Sequence, residues 1–117
     1  MISEKYILAG IYLTSDKKIE SKKIYKNIIL KKNKFYSLLS LNNIIENNLE
    51  DDEIEVLKLF EILEKNNFKK EEKNLVKIKK ALYLLKINKV EEGNLLLDEI
   101  ISTDSAWKNV ALEITQK

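Results

Sequence analysis

The stretch "ILAGIYLTSDKKIESKKIYKNII", residues 7–29, decides how the chain is read. Apolar residues recur at helical spacing on both sides of a polar break. Ile7, Leu8, Ile11, Tyr12 and Leu13 precede "SDKK"; Ile19, Ile24, Tyr25, Ile28 and Ile29 follow it. Each half also holds a small residue, Ala9 in the first and Ser21 in the second. Between two packed helices a small residue lets the partner backbone come close. Large residues four and seven positions further on, here Tyr25 and Ile28, fill the groove beside it. The stretch predicts a helix, a short turn and a second helix folded back on the first.

The same spacing continues along the chain. It predicts seven helices, the first two over about 3–14 and 17–32. Asn33 is a cap for the third, which ends near Asn48. "DDEIEVLKLFEILEKNN" is the fourth, with Asp52 and Glu55 at capping-box spacing. The fifth runs over about 70–87, and "NKVEEGNLLLDEII" is the sixth. Thr103 or Asp104 caps a seventh, from Ser105 to about Gln116. Two glycines and no proline in 117 residues leave few turn formers for a sheet fold. The expected fold is all-α.

A weak repeat runs through these helices. Small residues recur in the odd-numbered ones: Ala9, Ser40, Ala81 and Ala111. The even-numbered ones carry triples spaced i, i+4, i+7: Ser21, Tyr25, Ile28; Val56, Phe60, Leu63; Gly93, Leu97, Ile100. The pattern resembles the tetratricopeptide repeat, a helix-turn-helix of about 34 residues. Leu8, Ala9, Tyr12, Ser21, Tyr25 and Ile28 match the first unit. Ala81, Leu84, Gly93, Leu97 and Ile100 match the third. Trp107, Val110, Ala111 and Ile114 match the opening helix of a fourth, which is expected to be a cap or the cut point of a longer array. In the second unit Asn43 replaces an aromatic and Val56 a small residue. The proline between units and the inner-turn glycine are missing, with Asp16, Asn47 and Asn88 in the glycine's region.

The resemblance implies a right-handed α-solenoid of about three antiparallel helix hairpins with a C-terminal capping helix, one domain over 1–117. Ala9, Tyr12, Ser21, Tyr25, Ser40, Phe60, Ala81, Gly93, Trp107 and Ala111 would pack the repeats together. In this family the first helix of each unit lines a concave groove. That maps Tyr6, Gly10 and Leu13 from the first unit, Ser37, Leu41, Ile44 and Ile45 from the second, and Leu75, Ile78, Leu82 and Leu85 from the third. The lining is mostly aliphatic and suits a peptide or an amphipathic helix; the alternative is that these residues are core. The short, proline-poor array also looks like the soluble part of bacterial membrane-tethered repeat proteins, similar to the ancillary subunit of the Sec translocon. That would place the chain in assisting translocation or assembly at a membrane.

Chemistry is sparse. There is no His and no Cys, and all 21 basic residues are lysine. Imidazole and thiol nucleophiles, bases and soft metal ligands are therefore excluded. The guanidinium fork that reads guanine or phosphate in bidentate fashion is excluded too. "LEDDEIE", residues 49–55, clusters carboxylates but lacks the alternation and the glycine of a calcium loop. A helix N-terminus explains its acids better. The expectation is a protein with no catalysis, no cofactor and no metal.

Charge falls in blocks. The net values are +6 over 1–36, −6 over 37–68, +6 over 69–90 and −4 over 91–117. Lysine faces would engage phosphates without reading sequence. Interleaved acids and a pI of about 8.6 argue against nucleic acid as the partner. A protein or peptide partner is expected, with self-association into a homodimer and a nucleic-acid accessory role as the alternatives. No run of 18 apolar residues occurs, so no membrane insertion by this chain is expected. Compartment stays open: cytoplasmic, or extracytoplasmic if an N-terminal anchor precedes Met1.

Overall fold

A computed structural model describes residues 1–115. Among them it holds seven α-helices and no strand. They are α1 Ile2–Thr14, α2 Lys18–Leu30, α3 Lys34–Glu46, α4 Glu53–Glu64, α5 Lys70–Lys86, α6 Val90–Ile101 and α7 Lys108–Thr115. The expected end of the last helix at Gln116 lies outside the described residues.

Helix ends explain how the chain turns with so little glycine. α1, α3 and α5 each close on a residue of positive φ: Asp16 at 58°, Asn48 at 52° and Asn88 at 66°. Asp and Asn tolerate this left-handed conformation because their short polar side chains bond locally. Each is followed by a reverse bond across the last turn, from Lys17 N–H to Tyr12 C=O at 2.8 Å, Leu49 to Ile44 at 2.9 Å and Lys89 to Leu84 at 2.8 Å. A second bond, from the positive-φ residue itself, completes a Schellman end in all three. In the middle turn this role belongs to Asn48 rather than Asn47.

N-termini divide by side-chain chemistry. Asn33 accepts Tyr36 N–H at 2.8 Å and so caps α3. Asp52 accepts Ile54 N–H at 2.9 Å at the start of α4. Glu55 does not reach back to Asp52; it pairs with Lys58 at 3.4 Å. At α5 the return bond is present, from Lys69 N–H to the Glu72 carboxylate at 3.0 Å.

The chain divides into two compact units, Met1–Asn67 and Phe68–Lys117. In the first unit, α2 packs broadly on α1 and on α3, while α4 touches α2 and α3 less extensively. Ser21 donates its hydroxyl to the Ala9 carbonyl at 2.9 Å. Lys5 lies level with Asn27, at 3.4 Å, so α1 and α2 run antiparallel. The core holds Ala9, Tyr25, Ile28, Ile29, Leu41, Ile44, Val56, Phe60 and Leu63, all buried.

In the second unit α6 packs on both α5 and α7. Ala81 and Gly93 meet closely: a Cβ built on Gly93 would lie 3.1 Å from the Ala81 carbonyl oxygen. Lys77 and Glu99 pair at 3.3 Å, again an antiparallel register. Ile78, Ala81, Leu97, Ile100 and Ala111 form the core, with Leu85, Leu96, Ile101, Trp107 and Ile114 packed around it.

Candidate interaction surface

The groove positions separate once the chain is folded. In the first unit Leu41 and Ile44 are fully buried, and in the second Ile78 is 3 % exposed. These three are core, which corrects their assignment to an open lining. The reason is local: α3 presents them inward with the buried Ser37 and Ser40, and Ile78 faces Leu97 and Ile100. Tyr6, Leu13 and Ile45 are half-buried in the first unit, as are Leu75 and Leu85 in the second. Leu82 is exposed.

Tyr6 is the centre of an aromatic cluster. Its ring meets Tyr25 edge-on at 5.7 Å and Tyr36 at 5.2 Å, and Phe35 stands edge-on to Tyr36 at 4.9 Å. The Tyr6 hydroxyl accepts Asn43 Nδ2 at 2.9 Å. Asn43 thus ties α3 to α1 at the position where an aromatic was expected. Burial, then the neighbouring Tyr6, pushes the Tyr25 hydroxyl above its ordinary pKa.

On α1 the first unit leaves three neighbouring aliphatic side chains uncovered. Ile7 is 62 % exposed, Leu8 40 % and Ile11 53 %. At 3.6 residues per turn Ile7 and Ile11 stand about 160° and 200° round the helix from buried Ala9. α1 is therefore apolar on its outward face as well as its inward one. Its signal was present in the sequence: Tyr6, Ile7, Leu8, Ala9, Ile11, Tyr12 and Leu13 exceed one stripe. Groove assignment by repeat position passed over Ile7, Leu8 and Ile11.

Several lysines are engaged within their own unit. Glu50, whose side chain is only 10 % exposed, accepts Lys26 Nζ at 2.6 Å and lies 3.7 Å from Lys22. Lys26 and the Asp52 N–H hold its carboxyl below the usual range, against the opposing effect of burial. Lys70 donates to the Asp104 carbonyl at 3.2 Å. Among the described residues no three carboxylates converge to hold a metal ion, and no helix is long and apolar enough to cross a membrane.

The segment before α7 is held by Glu71, in the first turn of α5. Its carboxylate accepts Ser105 Oγ at 2.8 Å, Asn74 Nδ2 at 3.1 Å and the Ala106 N–H. The Ala106 bond, then Ser105 and Asn74, hold the Glu71 carboxyl below its ordinary pKa. Trp107 donates its indole N–H to the Glu71 carbonyl at 3.1 Å, and its backbone N–H to Ser105 Oγ at 3.1 Å. Those bonds keep 105–107 in a turn, so α7 starts at Lys108 and not at Ser105. Trp107 is half-buried, Ala111 buried and Val110 exposed.

The remaining positions read from the repeat pattern are placed as follows. Ser21, Tyr25, Ser40, Phe60, Ala81 and Gly93 are buried, and Tyr12 is half-buried. Comparison with protein-family models, curated proteins and solved structures finds no match.

Proposed function

We propose that this chain is a non-catalytic helical interaction module, a short tetratricopeptide-like α-solenoid, that docks one further α-helix on the outer face of α1. The observation that carries this reading is the exposed Ile7, Leu8 and Ile11 over a formed core. An outward apolar stripe at i, i+1, i+4 is the counterpart of a helix that lies along it. The repeat frame sharpens the contrast with α3. When Ser40 is aligned on Ala9, the α3 residues matching Ile7, Leu8 and Ile11 are Leu38, Leu39 and Asn42. All three are half-buried. α1 thus carries a third apolar side chain where α3 has an asparagine, and it leaves all three more open.

The repeat reading is supported by two like contacts. Ala9 meets Ser21, and Ala81 meets Gly93. Both pairs are twelve residues apart, with a positive-φ Asp or Asn seven residues after the alanine. The lysine-face reading is weakened by the pairing of Lys22 and Lys26 with Glu50, and of Lys77 with Glu99.

The test compares wild type, Ile7→Asp/Ile11→Asp and Leu82→Asp, each with an unchanged far-UV spectrum, as baits at physiological salt. Bound partners are mapped by amide hydrogen exchange. A partner that protects α1, survives Leu82→Asp and is lost from the α1 variant is the expected result. A partner lost only with Leu82→Asp, or protection confined to the second unit, would refute the α1 assignment.

A further inference from the structure

We infer that the corner between α2 and α3 docks on a lipid bilayer surface carrying anionic headgroups; this does not rest on the reading of α1. The Ser37 hydroxyl donates to the Ile28 carbonyl at 3.4 Å, so residues 29–36 form one tight corner closed at its base. Two apolar side chains stand out from it, Leu30 at 59 % and Phe35 at 67 % exposed. Between them Lys31, Lys32 and Lys34 are exposed, and none of the three is paired among the described residues.

At one of these lysines the fold is strained. The left-handed residue of the other turns is Asp16, Asn48 or Asn88; here it is Lys32, with φ 59°. A lysine forgoes the local bonding that lets Asp and Asn adopt this conformation. Buried Asn66 holds it there, donating Nδ2 to the Lys32 carbonyl at 3.1 Å. Strain kept where a shorter polar residue would relieve it points to a use outside the fold.

Charge is separated within the first unit. Over 1–67 eleven lysines balance eleven acids. The corner itself holds +3 and no acid. Around it stand Glu4 and Lys5 of α1, Lys23 of α2, and Glu61, Glu64 and Lys65 at the end of α4, three acids against three lysines. The α1–α2 turn balances likewise, Asp16 and Glu20 against Lys17 and Lys18. The opposite charge, −3, lies over 46–58, from the far end of α3 onward, once Lys22 and Lys26 are counted with the Glu50 they approach. An anionic surface attracts the corner and repels the acidic end, so the unit meets it corner first.

The exposed side chains select the occupant. A protein partner covers about 800 Å², which two apolar tips do not supply. Single-stranded nucleic acid stacks its bases on successive open rings. Here only Phe35 is open, edge-on to Tyr36, and the Tyr36 ring is engaged by Tyr6. Leu30 has no stacking face at all. A bilayer surface uses every part: Leu30 and Phe35 enter the boundary between headgroups and acyl chains, and the lysines stay among the phosphates on flexible stems. Lysine suits this as a point charge that needs no fixed geometry.

Co-sedimentation of the full chain with vesicles of phosphatidylcholine and phosphatidylglycerol in equal parts tests it. Wild type should bind these vesicles and not vesicles of phosphatidylcholine alone. The variants compared each keep an unchanged far-UV spectrum. Lys32→Asn should bind roughly fivefold more weakly and yet unfold at higher urea, because Asn accepts the left-handed conformation. Leu30→Ser/Phe35→Ser, with every lysine kept, should weaken binding by about tenfold. No binding to the anionic vesicles overturns the proposal, as does unchanged binding in either variant. Binding lost in Ile7→Asp/Ile11→Asp and kept in the corner variants overturns it by moving the lipid to α1. A single-stranded oligonucleotide retained where the vesicles are not would overturn it in favour of nucleic acid.

Discussion

One substitution, glycine to alanine, should have opposite signs at the two glycines of this chain. In a helix interior Ala is favoured over Gly by about 1 kcal/mol. At Gly10 nothing opposes that gain, since the nearest atom to an added Cβ is the Tyr25 hydroxyl oxygen at 4.0 Å, ordinary contact distance. Gly10→Ala should stabilise the first unit by about 0.5–1 kcal/mol. At Gly93 the Cβ would stand 3.1 Å from the Ala81 carbonyl oxygen and 3.1 Å from Cγ and Cδ2 of Leu85. Leu85 is half-buried and can rotate aside. The carbonyl belongs to the α5 backbone and moves only if α5 and α6 separate. Overpacking of this kind costs about 1–3 kcal/mol, which set against the propensity gain of about 1 kcal/mol leaves a net loss of up to about 2 kcal/mol. Urea unfolding read by Trp107 fluorescence, which reports the second unit, should show the Gly93→Ala midpoint lowered by about 1 M. Adding Leu85→Ala should recover only the Leu85 share of the clash beyond its own cost, a coupling that a double-mutant cycle isolates. A Gly93→Ala variant more stable than wild type, by the margin expected for Gly10→Ala, would refute the close α5–α6 approach, and with it the Ala81–Gly93 contact as counterpart of Ala9–Ser21.

Two further perturbations act on single polar groups. The Ser40 hydroxyl is fully buried and has no hydrogen-bond partner among the described residues. Ser40→Ala, which installs the residue found at the matching positions 9, 81 and 111, should therefore stabilise by about 1–2 kcal/mol in thermal unfolding; a loss of stability would show that the hydroxyl is satisfied. Glu71 has a lowered carboxyl pKa, so its contribution is present above the unfolded carboxylate value of about 4.3 and is lost as pH falls through the depressed folded value. Trp107 fluorescence should report an acid transition below about pH 4.3 that Glu71→Gln removes; an identical acid profile in the variant would detach Trp107 from the Glu71 carboxylate. Glu50 is lowered in the same direction by Lys26, so the first unit should also lose stability on the acid side, and Glu50→Gln should flatten that loss.

Much of this protein was legible before folding. Helical periodicity placed seven helices, because an apolar stripe at period 3.6 is a local property. Ala9 with Ser21 and Ala81 with Gly93 marked where backbones meet, because only a small residue admits a partner that close. The turn chemistry was half legible. Asp16 and Asn88 stand where a glycine was expected, yet only the folded backbone shows that Asn48, and not Asn47, takes the positive φ.

What the tertiary structure decided is which apolar residues the core consumes. Leu41 and Leu82 look alike in sequence, being aliphatic residues at repeat-equivalent positions, each one past the small residue of its helix. The first is fully buried and the second is exposed, because burial depends on which neighbour lies across each face. Ile7 and Ile11 read as core for the same reason that Ile28 and Ile29 do, and only the absence of a described neighbour on that side of α1 sets them apart. Periodicity states that a helix has an apolar face; it does not state whether there is enough protein to cover it. That is a property of surface and volume in three dimensions, and here it separates the core from the candidate docking surface.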